Sequence, residues 1–311
     1  MLRSYLLSAW RHLVRRRVYT AINLLGLAVG VAFCLLAWTL VAYERSFDAF
    51  HPKADRVFRV VSTLRLERPL TTGVCPAETS TQLASDFPQV IRVGRLDYDP
   101  DFSARVVRVE GRIFESGVGW ADSSLFRVLS FPVIAGDPIR AISAPTEVVL
   151  SRKAAQRLFG HPQVVGRSLD LREQGTWLPL IVGAVIEIPA NSTYQPDLLL
   201  AWQRHVDPVR AAGQALLELA GPDDAAVIES QLPAFVERHY SAEIAALRQF
   251  LGPECGREYR LQPLRDMHGD PLVGGTPGAT DLAYAWVLLA LAAVVLLIAC
   301  ANFVNLSMAL G

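Results

Sequence analysis

LAYAWVLLALAAVVLLIACA, Leu282 to Ala301, carries no charged side chain and, wound as an α-helix, is long enough to cross the hydrocarbon core of a bilayer. The sequence stays uncharged from there to its last residue, Gly311. A second charge-free run, VYTAINLLGLAVGVAFCLLAWTLVAY, extends from Val18 to Tyr43. These two runs account for a composition of 51% hydrophobic and 19% charged residues, more apolar than an ordinary soluble chain. The stretch 44–281 between them has mixed composition and is long enough for a domain with its own core.

Charge orients the two runs. Arg3, Arg11, Arg15, Arg16 and Arg17 precede the first run without an acidic neighbour, while Glu44, Arg45 and Asp48 follow it. The positive-inside rule then predicts a cytoplasmic N-terminus, an outer segment 44–281 and a second run returning inward. A cleaved signal peptide fits poorly, because the first run is too long and Leu40-Val41-Ala42 is a poor cleavage site. Formal net charge is zero, which gives no overall field for nucleic acid.

Leu2, Leu6, Trp10, Leu13 and Val14 share a helical face, so residues 1–17 read as an amphipathic helix on the inner membrane surface, or equally as a polar lead-in to the first span. Gly26 and Gly30 have the GxxxG spacing that lets helix backbones approach. Asn23 in the first run and Asn302 and Asn305 in the second lie at matching depth, which fits hydrogen bonding between helices rather than exposure to lipid, or equally a simple position in the interfacial zone. Of four cysteines, Cys34 and Cys300 lie in the apolar runs, and Cys75 and Cys255 fall in the outer region, where a disulfide is permitted by the compartment.

Within the outer region, Arg56 to Leu64 reads as a strand, Pro76 to Phe87 as a helix and Gln89 to Leu96 as a strand, an opening βαβ unit. Near Arg105 the texture changes. RVVRVEGRIF and TEVVLS read as strands, DSSLFRVLSF as a short helix capped by Asp122, and SRKAAQRLFG as a helix with Ser151 as N-cap and Gly160 as its stop. Strands over Ser168–Leu171 and Leu178–Ile188 follow, then PANSTYQPDLLL leads to another. Helices are predicted within Val209–Leu219 and over Pro233–Phe250, then a strand EYRLQPL and a Gly/Pro-rich lead HGDPLVGGTPGATD into the second run. The overall class is α+β.

No catalytic pattern emerges. GHPQVVGRS has five residues between its glycines, arginine in place of lysine, and the reverse order of helix and strand, so it is no phosphate loop. The six histidines show no metal-ligand spacing, DYDPD lacks the glycine and glutamate of a calcium loop, and no serine has a GxSxG context.

INLLGLAVGVAFCLL, SFDAFHPKADRVFRVV, GWADSSLFRVLSFPVIAGDP, VVLSRKAAQRLFG, GRSL, IPANSTYQPDLLLAW, LQPLRDMH and LLIACANFVNLS, in that order, resemble the MacB/FtsX-type ABC transporter permeases over essentially the whole chain. The resemblance implies two transmembrane helices, 18–43 and 282–311, flanking a periplasmic core domain, 44–281. Within it a Porter-like α/β part, 51–104 and 195–268, is interrupted by a Sabre-like strand-rich part, 105–194. It implies a non-enzymatic, mechanotransmitting subunit of the bacterial inner membrane with no cofactor of its own, ATP being bound by a separate cytoplasmic ABC ATPase. Further implied partners are a second permease copy or second half, a periplasmic adaptor or outer-membrane protein, and the lipid bilayer. Since such permeases continue into further spans, the resemblance also implies a truncated chain. Gly26, Gly30 and the N-terminal helix would belong to the transmission machinery. The competing reading is a two-span anchored sensor whose outer domain binds a ligand.

Overall fold

The computed structural model describes residues 17–98, 103–204, 212–276 and 278–309, so the expected helix 1–17, with Arg11, Arg15 and Arg16, lies outside the described residues, as does the Arg17 side chain. The chain forms two compact units. One contains the two apolar helices and the other is Ser46–Thr280.

Helix α1 is Arg17–Glu44, and the last helix of the chain is Leu282–Ala309. Both are long and apolar enough to cross a membrane. They pack along a seam of partly or fully buried positions, Asn23, Leu27, Gly30, Cys34, Ala37 and Val41 on α1 and Leu282, Ala285, Leu289, Ala292, Leu296 and Ala299 on its partner. The steps alternate between three and four residues, the heptad spacing that keeps one stripe facing a neighbouring helix. Glycine and alanine recur every seven residues on each side, so the backbones come close. A Cβ on Gly30 would lie 3.3 Å from the Leu296 Cα. Gly26 falls off the stripe and faces open space, so the close approach uses one glycine of the expected pair. Asn23 is half-buried on the seam, while Asn302 and Asn305 are exposed, one position to the side of it.

The second unit is built on a continuous thirteen-stranded sheet. Strands β1 (Val57–Arg65), β2 (Leu70–Thr72) and β3 (Val74–Pro76) lead to helix α2 (Ala77–Asp86) and β4 (Val90–Asp97). Next come β5 (Ala104–Val109), β6 (Arg112–Ala121), α3 (Leu125–Val128), β7 (Val133–Gly136), α4 (Pro138–Ser143), β8 (Glu147–Ser151) and α5 (Arg152–Phe159). The chain continues with β9 (Ser168–Glu173), β10 (Thr176–Ile186), β11 (Leu198–Ala201), β12 (Ala212–Leu219), α6 (Asp224–Leu251) and β13 (Gly256–Pro263), and closes with α7, the helix Leu282–Ala309. The path across the sheet is β11-β8-β10-β9-β5-β6-β4-β12-β1-β13.

Local chemistry sets several elements. Ser151 Oγ accepts from the Ala154 N–H at 3.1 Å and starts α5, and Gly160 stops it with φ 84°. Asp137 caps α4 by accepting from the N–H groups of Ile139 and Arg140. The segment Ala212–Leu219, expected as helix, is instead β12. Alanine and leucine favour helix locally, but Gly213 to Leu219 are all buried and pair antiparallel with β1 on one side and β4 on the other. Ladder pairing and burial override propensity there. β12 also splits the expected βαβ unit, for β1 and β4 run parallel with β12 between them.

Three apolar clusters fill the domain. α5 packs with Val107, Val148, Leu150, Leu180 and Leu200. Leu96, Leu125, Ile142, Tyr194 and Leu216 join the middle of the sheet to α3 and α4. Under α2 and α6 lie Phe58, Leu83, Leu217, Phe235 and Tyr240. The possible Cys75–Cys255 disulfide is not formed. Both thiols are free and buried, Cys75 in the third cluster on a strand paired with Gly213, Cys255 in the turn behind α6. Burial pushes the Cys75 thiol up to about 12, so it stays protonated.

Candidate functional site

Two segments join the domain to the helices in the chain, Ser46–His51 after α1 and residues 264–280 before α7. Both are pinned into the domain by buried polar groups. Asp48 adopts φ 54°, a left-handed conformation that aspartate tolerates, and its carboxylate is almost wholly buried. Its Oδ1 accepts from the Thr193 N–H at 3.1 Å and the Ser192 hydroxyl at 3.3 Å, and its Oδ2 accepts from the Thr193 hydroxyl. The Asp48 N–H donates to the Asn191 carbonyl at 2.9 Å, and Asn191 Nδ2 donates to the Ser46 carbonyl at 2.8 Å. The turn 191–193 therefore holds the incoming segment by side chain and backbone together. Burial raises the Asp48 pKa, and the Thr193 and Ser192 hydrogen bonds oppose the rise.

His51 is buried beside it, its Nε2 3.9 Å from Asp48 Oδ1. The Ser130 N–H donates to Nδ1 at 3.1 Å, and the ring meets Phe131 edge-on at 5.2 Å. Burial lowers its pKa to about 4, so the ring is neutral at ordinary pH. Phe47 stacks flat on His268 of the outgoing segment, with centroids 3.4 Å apart, and the Thr280 N–H donates to the His268 carbonyl at 2.9 Å. The stack joins the incoming and outgoing segments directly.

Arg59 on β1 is fully buried and holds the outgoing segment. Its Nε and Nη2 donate to Gln262 Oε1 at 3.2 and 2.5 Å, and its Nη1 donates to Thr276 Oγ1 at 2.6 Å and Gln214 Oε1 at 3.3 Å. Gln214 Nε2 donates to the Gly275 carbonyl, and the Tyr194 hydroxyl donates to Gln214 Oε1. Gly73 lies against the guanidinium, where a Cβ would come within 2.6 Å of Nη1, and its N–H donates to the Gly274 carbonyl at 2.8 Å. Amide and hydroxyl oxygens solvate this cation. Burial lowers its pKa, with Tyr194 and then Asp270 opposing. Thr193 and Tyr194, consecutive in the chain, thus serve the two segments in turn: one binds Asp48, the other the group around Arg59.

Such a site resists displacement of the two segments from the sheet. Among the described residues no group of three His, Cys, Asp or Glu side chains is placed to hold a metal ion. The sequence motifs SFDAFHPK and IPANSTY contain the decisive residues, but nothing in their spacing couples Asp48 to Thr193, which lies 145 residues away. Arg59 gave the readable hint, a cation in the middle of the β-branched, aromatic run VFRVV.

The sequence model of the MacB-like periplasmic core domain matches residues 20–235. The chain belongs to that family. This MacB-like chain accordingly carries an α+β core domain flanked in the sequence by two candidate membrane helices. Among solved structures it is similar to a domain of a protein assigned as a permease from Porphyromonas gingivalis, with 18% identity, TM-score 0.58, and coverage of 68% of this chain and 91% of that one. It is also similar to the extracellular domain of the noncanonic ABC-type transporter YknZ from Gram-positive bacteria, with 13% identity, TM-score 0.44, and coverage of 66% and 99%. The periplasmic region of MacB from Actinobacillus actinomycetemcomitans gives 10% identity, TM-score 0.43, and coverage of 67% and 89%. No curated protein is significantly similar to the chain.

Proposed function

We propose that this chain is the membrane subunit of an ABC-type exporter or mechanotransmission complex, in which a separate cytoplasmic ATPase drives motion of the core domain. The N-terminus is cytoplasmic and the domain lies outside, as the arginines before α1 favour. The observation that carries the reading is the double anchorage at Thr193 and Tyr194. A push or twist arriving through either connecting segment reaches the same sheet through buried hydrogen bonds.

The test is purification of the chain from its native membrane, identification of a co-purifying ABC ATPase, and distance measurement between spin labels on two copies of the core domain with ATP and with ADP. An ATPase that co-purifies, and a distance distribution that changes with nucleotide, are expected. A domain that no nucleotide moves, with no ATPase bound, overturns the reading. A two-span sensor is the second reading, favoured by one observation, a cavity of about 390 Å³ between α6 and β13.

A further inference from the structure

β13 is the terminal strand of the sheet, paired with β1 on one side only. The Leu261 N–H turns away from β1 and donates to the Glu229 carboxylate of α6 at 2.8 Å. Amides alternate sides along an antiparallel ladder, so those of Tyr259 and Arg257 also turn outward. Unpaired edges invite a further strand, and natural sheets block them with proline, charge or cover. One end of β13 is blocked in this way, by Pro263, which has no N–H, and by Glu229. At the other end no described residue accepts from the Tyr259 or Arg257 N–H, and the cavity of about 390 Å³ opens there, walled by Leu232, Pro233 and Ile244 of α6.

The cavity is also charged in order along the strand. Arg65, opposite Gly256 and ion-paired with Glu258 at 3.1 Å, and Arg248, whose Nε donates to the Cys255 carbonyl, stand at one end, an excess of one positive charge, and Glu229 stands beside Leu261 at the other. Outward amides at two-residue intervals beside a cleft with a basic and an acidic end match an extended peptide better than a compact small molecule. We propose that the outer edge of β13 at Arg257 and Tyr259 is a docking site for a short extended segment of a partner protein, which adds to the sheet as a strand and sets a carboxylate over Arg65 and Arg248.

The probe is the fluorescein-labelled peptide acetyl-Lys-Thr-Val-Thr-Glu-amide, titrated by anisotropy against the full chain in lipid nanodiscs. Two further peptides carry N-methyl groups on alternate residues, one on the odd and one on the even positions. Strand addition uses every second peptide amide, so one methylation phase is expected to weaken binding about tenfold or more, as loss of backbone hydrogen bonds requires, while the other leaves it nearly unchanged. The Arg257→Pro variant, which removes an outward N–H and leaves the β1 ladder, is expected to weaken the parent peptide similarly. Equal effects of both methylation phases overturn the proposal, as does no binding at about 1 mM peptide. The methylated peptides on the unaltered chain decide the matter even where Arg257→Pro fails to fold.

Discussion

Asp48 and His51, buried side by side, pull stability in opposite directions with pH. The folded pKa of His51, about 4, lies below the ordinary 6.5, so between these values the unfolded chain takes a proton that the folded chain refuses. Its effect is to lower stability as pH falls through that window, by about 3 kcal/mol in full. Asp48 has a raised pKa, so its protonated form favours folding and that contribution is lost as pH rises above 3.8. His51→Gln, whose Oε1 can still accept from the Ser130 N–H, is expected to remove the first limb. Thermal melts at pH 7.5 and pH 5 should show a smaller drop in Tm than the parent, and an unchanged drop would disprove the assignment. Arg59→Met keeps the volume but leaves Gln214, Gln262 and Thr276 without their donor. A loss of about 2–4 kcal/mol is expected in denaturant unfolding followed by tryptophan fluorescence.

At the scale of elements, the seam between α1 and α7 distinguishes two glycines that the sequence presents as equals. Gly30→Leu would have to displace the Leu296 backbone and is expected to destabilise the helix pair by about 1–3 kcal/mol, whereas Gly26→Leu should leave the melt in detergent unchanged. Equal effects would show that the seam is misplaced. Asn23 falls on the heptad stripe, whereas Asn302 and Asn305 fall beside it. Helix α6 contains Pro233, which lacks the N–H that would bond the Glu229 carbonyl. Pro233→Ala is expected to raise stability by about 1–3 kcal/mol, seen as a higher denaturant midpoint, because it restores that bond at an exposed position.

For the whole molecule, anchorage of both connecting segments at adjacent residues makes them one cooperative unit. Hydrogen exchange should give the amides of 46–51 and of 273–276 a common opening free energy, and Thr193→Val should free the first set while the second stays protected by Arg59. Independent opening in the unaltered chain would sever the proposed transmission route. Much of this architecture was legible in the chain itself. Uncharged length gave the two membrane-competent helices, β-branched runs gave β1 and β8, and Ser151 and Gly160 gave both ends of α5, because such signals act over one turn or one strand. Three features were decided only by the tertiary structure. β12 is a strand because its neighbours bury it on both sides, β1 and β4 are separated because β12 inserts between them, and Asp48 and Arg59 are functional candidates because residues more than 140 positions away supply their hydrogen bonds. Contacts of that range leave no periodicity in a sequence, since what fixes them is the free energy of burying polar groups that only the assembled fold can satisfy.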